Sequence, residues 1–227
     1  VVSLNLPQIA IMAEGKMGKF WKILDQRLSL CKEALLCRHR MLLGNLSDVS
    51  PIHWQHGAIA RLEKGEKIDK LLQNGYSTLS LGYVGVYEMV QAMLGVSHTT
   101  PEGEKFAIDV MKHMQHETGL GFSVYATPAE SLVYRFCRLD RARFGEIPNV
   151  TDRLYYTNSY HVNVREEIDA FSKLSFESQF HEISTGGCIS YVEVPDMTKN
   201  LEAVEQIINF IYHNIQYAEI NTKPDIC

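Results

Sequence analysis

The stretch GFSVYATPAESLVYRF, residues 121–136, decides the fold class. An apolar run, GFSVYA, stops at Thr127-Pro128 and gives way at once to a helical pattern, AESLVYRF. Thr127 has the chemistry of an N-cap, Pro128 suits the first helical position, and Glu130 stands at the third. Thr-x-x-Glu is the capping-box spacing, in which each side chain satisfies a backbone N–H of the other residue. A strand running straight into a helix also leaves N–H groups and a positive dipole end pointing outward, which is a natural anion site. A well-capped helix with no ligand satisfies the same pattern. Thr100-Pro101-Glu102 is a similar start with no chemistry near it.

Outward from that junction the chain alternates strand and helix. Residues 1–6 read as a buried strand. Residues 17–43 read as a long amphipathic helix, because Phe20, Leu24, Leu28, Cys31 and Leu35 keep a three-to-four spacing. Residues 52–60 read as a short strand or an irregular segment, and 66–74 as a short helix stopped by Asn74-Gly75. The run YSTLSLGYVGVYEMVQAML, 76–94, passes from strand to helix through a glycine-bearing turn. Helices are expected at 102–117, 128–140, 165–173 and 199–214, and strands at 120–126, 155–159, 188–194 and 216–221. About six or seven strands with helices between them make an α/β fold, read as one domain over 1–227. The pattern alone does not choose between barrel and open sheet.

Composition narrows the function. The chain has 227 residues, 45% hydrophobic and 22% charged, with a formal net charge of −5. No Lys/Arg block stands out, so a nucleic-acid footprint is not expected. No run reaches the roughly 18 apolar residues that span a bilayer, so no membrane partner is expected. The N-terminus lacks the basic region of a signal peptide. Five cysteines without a CxxC pair argue for reduced thiols and a cytoplasmic setting. Cys31 and Cys137 fall in helical apolar patterns and read as core. The chain starts abruptly in a strand and stops on Cys227, which suggests a fragment.

Three further stretches carry polar chemistry. SLGYVG, Ser80 to Gly85, sits at a strand-to-helix junction where glycine lets a backbone approach a ligand, although a tight turn is the reading the residues alone favour. It is not GxGxxG, so a dinucleotide fingerprint is weak. YYTNSYHV, 155–162, crowds polar groups at a strand end, where α/β folds place their sites. Alternation would put Tyr156, Asn158 and Tyr160 on one face and Thr157, Ser159 and His161 on the other. His53, His56, His113, His116 and His181 invite a metal reading, but no His-Glu-x-x-His or third ligand accompanies His113 and His116. No Gly-x-Ser-x-Gly elbow appears.

Taken together, VVSLNLPQIA (1–10), SLGYVGVYE (80–88), YATPAESL (125–132), FGEIPNVTDRLYYTNSYHV (144–162), KLSFESQF (173–180) and GGCISYVEVP (186–195) resemble, in this order, the anaerobic, class III ribonucleotide reductases. The resemblance covers essentially the whole chain. It implies part of the ten-stranded α/β barrel shared by glycyl-radical enzymes and ribonucleotide reductases. It also implies reduction of ribonucleoside triphosphates to 2′-deoxyribonucleotides, hence deoxyribonucleotide supply for DNA replication. In that family a glycyl radical passes to a cysteine inside the barrel, and formate serves as reductant in many members. A radical-SAM activating enzyme generates the radical, zinc is bound by two CxxC pairs, and ATP or dNTP effectors act on a homodimer.

By this resemblance, Thr127, Pro128, Ala129, Glu130 and Ser131 form the turn and helix start that hold the substrate phosphates, with Glu130 turned back to the cap. Asn5, Ser80, Gly82, Tyr83, Asn158, Ser159 and His161 are expected near the substrate cavity. Cys227 resembles the first zinc ligand. No internal cysteine matches the radical cysteine, whose loop precedes VVSLNLP in the family, and the glycyl-radical segment is not present. The sequence as it stands is therefore expected to be inactive and to bind none of these cofactors alone. Two rivals fit the same residues: another glycyl-radical enzyme, and a non-catalytic nucleotide-binding module derived from the barrel.

Overall fold

The computed structural model describes residues 1–119 and 121–222. Three short strands, β1 (Val2–Asn5), β2 (Leu79–Val84) and β3 (Phe122–Ala126), form a parallel sheet in the order β1-β2-β3. The register sets Ser3 beside Gly82 and Gly82 beside Tyr125. β4 (Ser190–Val194) and β5 (Ala218–Thr222) form a second parallel pair. The chain entering β4 lies along the outer edge of β3: Gly186 N–H donates to Val124 O (2.7 Å) and Ala126 N–H to Gly187 O (3.0 Å). A Cβ on Gly186 would stand 2.7 Å from Ser123 Oγ, so this close approach requires glycine.

Period-two alternation sorts the three-stranded sheet into two unlike faces. Leu4, Leu81, Tyr83, Val124 and Ala126 belong to the main core. They pack with α1 (Leu6–Ala13), α2 (Met17–Leu42), α4 (Val86–Leu94) and α5 (Pro101–Thr118). The other face carries Ser3, Asn5, Ser80, Gly82, Ser123, Tyr125 and Thr127. Hydroxyls link along it: Ser80 Oγ lies 3.2 Å from Ser123 Oγ, and Ser3 Oγ 2.9 Å from Thr127 Oγ1. A barrel wall has this form, with helices on one face of a parallel sheet and small polar groups on the other, but the sheet here is open at its edges.

Local chemistry explains the boundaries. The buried positions Phe20, Leu24, Leu28 and Leu35 of α2 keep the predicted stripe, while Cys31 is only half-buried on it. α1 was not foreseen. Its start is set by Asn5, whose Oδ1 accepts from Gln8 N–H at 3.1 Å, and by Pro7 in the first turn. Residues 52–60 hold no strand; Pro51–Trp54 is a single helical turn, α3. The expected helix at 66–74 shrinks to one 3₁₀ turn, Ile68–Leu71, followed by Asn74 and Gly75 with φ of 56° and 78°.

Two expectations fail for identifiable reasons. Residues 155–159 are not a strand. Their backbone is used by α4 instead: Gly85 N–H donates to Thr157 O (2.9 Å) and Val86 N–H to Ser159 O (3.0 Å), satisfying donors at that helix start. Nor does a helix cover 165–173. Asp169 accepts from the backbone N–H groups of Phe171 and Ser172, each at 3.0 Å, and this cap starts α7 at Ala170, from which it runs to Ile183. α6 (Glu130–Phe144) and α8 (Leu201–Asn214) complete the chain.

Candidate functional site

The carboxyl ends of the parallel strands bring Asn5, the Gly82–Gly85 turn and Thr127 to one end of the sheet. Here the predicted capping box is corrected. α6 begins at Glu130 with Ala129 as its cap residue (φ −147°, ψ 81°), and no side chain of its own caps it. Glu130 therefore occupies the first helical position rather than the third and is exposed. Thr127 is instead buried, its hydroxyl shared with Ser3 and with Tyr125 O. The cap comes from a distant segment: Asn158 Oδ1 accepts from Ala129 N–H at 3.1 Å. Among the described residues the N–H groups of Glu130 and Ser131 have no acceptor, and the Ser131 side chain is exposed beside them. Two free amides and a hydroxyl at a helix start can hold a phosphate group.

The hydroxyl-bearing face adjoins this start. Gly82 lies between Ser3 and Thr127, and a Cβ there would fall 2.2 Å from Thr127 Oγ1 and 2.4 Å from Ser3 Oγ. The absence of a side chain on the middle strand lets the flanking hydroxyls meet across it. Ser80 sits two residues earlier on the same face, bonded to Ser123. Tyr83 does not belong here. It points into the core, fully buried, with its hydroxyl 2.9 Å from Ser184 Oγ.

Segment 156–163 is anchored rather than open. Buried Glu88 in the first turn of α4 accepts from Thr157 N–H and Thr157 Oγ1, each at 2.8 Å. Burial pushes its carboxyl up to about 7, against the opposing pull of the Thr157 hydrogen bonds. Ser159 has left-handed backbone (φ 39°) and is buried. His161 faces α7, its Nδ1 3.4 Å from Glu177 Oε1. Lys173 Nζ lies 2.7 Å from the same oxygen, and Val162 N–H donates to it at 3.2 Å. Burial acts to raise the Glu177 carboxyl, but His161 and Lys173 together outweigh it and hold it down at about 2. His181 is buried, and desolvation lowers it to about 4. Its Nδ1 accepts from Gln216 N–H, so its Nε2–H faces Tyr160 and Ser190.

β4 meets this segment through Tyr191. Its ring lies 5.4 Å from that of His161, and burial, with the Glu219 and Glu130 carboxylates nearby, pushes its phenol up.

Sequence reasoning missed Asp140. This α6 residue is 1% exposed. It accepts from Asn5 Nδ2 (2.7 Å), Gln8 Nε2 (2.6 Å) and the Tyr156 hydroxyl (3.0 Å). The signal was present: Val133, Cys137 and Asp140 follow the i, i+4, i+7 stripe that faces inward. Gln8, Ser3 and Ser123 were equally unmarked.

The four described cysteines are free and dispersed. Burial pushes the thiols of Cys137 and Cys188 up to about 11. Among the described residues no group of three His, Cys, Asp or Glu could hold a metal ion, and no helix is long and apolar enough to cross a membrane. Cys227, the expected zinc ligand, lies outside the described residues.

Comparison with known proteins gives one consistent answer. The sequence model of the anaerobic ribonucleoside-triphosphate reductase family matches residues 1–227. An anaerobic ribonucleoside-triphosphate reductase of Salmonella typhimurium is 39% identical over 237 residues, and one of Enterobacteria phage T4 is 41% identical over 235. Both alignments take in all of this chain but 33% and 38% of those proteins, so the chain spans about a third of the length of such relatives. A solved anaerobic ribonucleotide reductase superposes with a TM-score of 0.72 over 97% of the chain and 35% of its own, at 23% identity. The Thermotoga maritima enzyme in complex with dATP and CTP superposes at 0.67 over 96% of the chain and 35% of its own, at 21% identity. These likenesses establish the fold as part of that enzyme's α/β barrel, here with open sheets.

Proposed function

The chain belongs to the anaerobic ribonucleoside-triphosphate reductase family, and we propose that it supplies the phosphate-binding turn and part of the cavity wall of a reductase that replaces the ribose 2′-hydroxyl of a ribonucleoside triphosphate by hydrogen. One observation carries this reading: the N–H groups of Glu130 and Ser131, without an acceptor among the described residues, open at the end of β3 beside the hydroxyl-bearing face. A phosphate oxygen satisfies those amides and the Ser131 hydroxyl without a counter-cation. Pro128 and Ala129 set the turn, Thr127 fixes it to β1 through Ser3, and Asn158 holds Ala129. Exposed Glu130 is free to turn its carboxylate to water, away from the phosphates. The space over Gly82, flanked by Asn5, Ser3 and Thr127, is where the sugar lies.

The radical parts of this reading come through the family. They are a glycyl radical, a thiyl cysteine, formate as reductant, a radical-SAM activating enzyme, nucleotide effectors and a homodimer in the cytoplasm. Zinc finds no ligand set among the described residues, and no step here passes through it. These residues bind the triphosphate, orient the sugar and wall off the reacting end. The raised thiols of Cys137 and Cys188 support a packing role for both.

The test uses the intact polypeptide that carries this chain, activated anaerobically and assayed for ribonucleoside triphosphate reduction and binding. Glu130→Pro deletes the first free amide while keeping the helix, because Ala129 before it is already outside the α region. Glu130→Ala removes the same carboxylate and keeps the amide. The alanine variant is expected to bind triphosphate at least as well as the unaltered protein. The proline variant should bind about 10-fold more weakly, with the gap closing from tri- to monophosphate and vanishing for the nucleoside. Equal triphosphate affinity of the two variants would remove the phosphate role from this turn.

A further inference from the structure

The buried carboxylate of Asp140 is the feature that packing does not explain. It sits on the inward stripe of α6, where Val133 and Cys137 pack against Val84 and Tyr156. An apolar residue would continue that cluster. A carboxylate buried without a cation is costly, and among the described residues no positively charged group lies within ion-pair distance of it. Its partners are three neutral donors, two of them from a chain segment more than 130 residues away.

Those two donors define a geometry. The Asn5 amide is held from both ends: its oxygen accepts from Gln8 N–H at 3.1 Å, and its nitrogen donates to Asp140 Oδ2 at 2.7 Å. Rotating the amide by half a turn would set N–H against N–H at Gln8 and oxygen against oxygen at Asp140. The Gln8 side chain donates to the other carboxylate oxygen at 2.6 Å, so the carboxylate itself cannot swivel. One hydrogen of the Asn5 amide is then left without an acceptor among the described residues. Asn5 is half-buried and stands on the face that carries Ser3, Gly82 and Thr127.

We infer that Asp140 is a positioning residue, which fixes the Asn5 amide so that its remaining N–H is offered to a hydroxyl oxygen of the substrate sugar. This rests on the reductase reading above. It assigns to α6 a second task beside phosphate binding: its first turn meets the phosphates, and Asp140, almost three turns on, sets a donor at the end of β1.

The test is a double-substitution cycle in the intact, anaerobically activated enzyme, reading kcat, KM and nucleotide affinity. Asp140→Asn keeps the shape but cannot accept from both amides. It is expected to lower kcat by about 10- to 100-fold with nucleotide affinity near that of the unaltered enzyme. Gln8→Ala, which frees the carboxylate without touching Asn5, should lower kcat several-fold. Each loss should disappear in an Asn5→Ala background. A structural role predicts the opposite: equal losses with and without Asn5, tracking a fall in melting temperature, and that result overturns the inference. Where Asp140→Asn does not fold, the Gln8 cycle decides by the same criterion. Turnover by the unaltered enzyme tests the reductase reading separately. With turnover present, additive losses overturn only the role of Asp140; with none, both fall.

Discussion

Gly82→Ala is the substitution whose cost can be worked most directly from the structure. The new methyl would lie 2.2 Å from Thr127 Oγ1, 2.4 Å from Ser3 Oγ and 3.2 Å from Ser3 Cβ. Carbon and oxygen need more than 3 Å, so both hydroxyls must shift by close to an ångström, and their 2.9 Å hydrogen bond cannot survive. The lost bond costs about 1 kcal/mol and the overpacking about 1–3 kcal/mol. Alanine recovers about 0.5–1 kcal/mol over glycine in a strand interior. The net expectation is a loss of about 2 kcal/mol, read as a lower denaturant midpoint of the intact protein. Nucleotide affinity should fall too if, as proposed, the hydroxyl-bearing face from which the methyl projects lines the substrate cavity. Ser3→Ala removes one of the two oxygens and lets Thr127 turn away, so the Gly82→Ala penalty should be smaller in that background. An unchanged penalty there, or no penalty in the single variant, would refute the claim that the paired hydroxyls are what require glycine.

Two further outcomes follow from buried polar groups. Asn158→Ala strips the acceptor from Ala129 N–H and should destabilise α6 by about 1 kcal/mol in thermal melts, whereas an unshifted midpoint would mean that water serves as well. Glu88 and Glu177 should give opposite pH slopes. Glu177, held at about 2 against an ordinary 4.5, adds about 3 kcal/mol that is present above pH 4.5 and is lost as pH falls toward 2; Glu177→Gln should remove that acid sensitivity from urea titrations. Glu88, raised to about 7, costs nothing below pH 4.5 and lowers stability as pH climbs from 4.5 to 7, a slope that Glu88→Gln should flatten.

Elements with a strong local signal were readable from sequence. The stripe of α2 and the glycine turn from β2 into α4 fell where the pattern put them, and β3 passes into α6 two residues later than expected. What failed was segment 155–169, and for a physical reason. YYTNS has the composition of a strand, but a strand needs a neighbouring ladder, and this backbone gives its carbonyls to the start of α4 instead. Nothing local announces that choice. It depends on Glu88, about 70 residues earlier, reaching Thr157. α1 went unseen because Asn5 reads equally as the last residue of a strand and the cap of a helix, and it is both.

The candidate site divides along the same line. Types and positions near Thr127 were legible, but partners were not. Thr127 was read as capping its own helix because Thr-x-x-Glu is a local motif. The cap is in fact supplied by Asn158, and the Thr127 hydroxyl is claimed by Ser3 from another strand. The consequence for the phosphate role is favourable. A capping box would have used the amide of Glu130 and placed its carboxylate at the turn. With Asn158 on Ala129 instead, the amides of Glu130 and Ser131 stay open and the carboxylate stays in solvent. The same logic applies to Asp140. Its place on the inward stripe is visible in the sequence as a charged residue where an apolar one is expected. Its purpose appears only when β1 brings Asn5 and Gln8 against it, because a buried carboxylate acquires a role from the donors it collects rather than from the residues beside it in the chain.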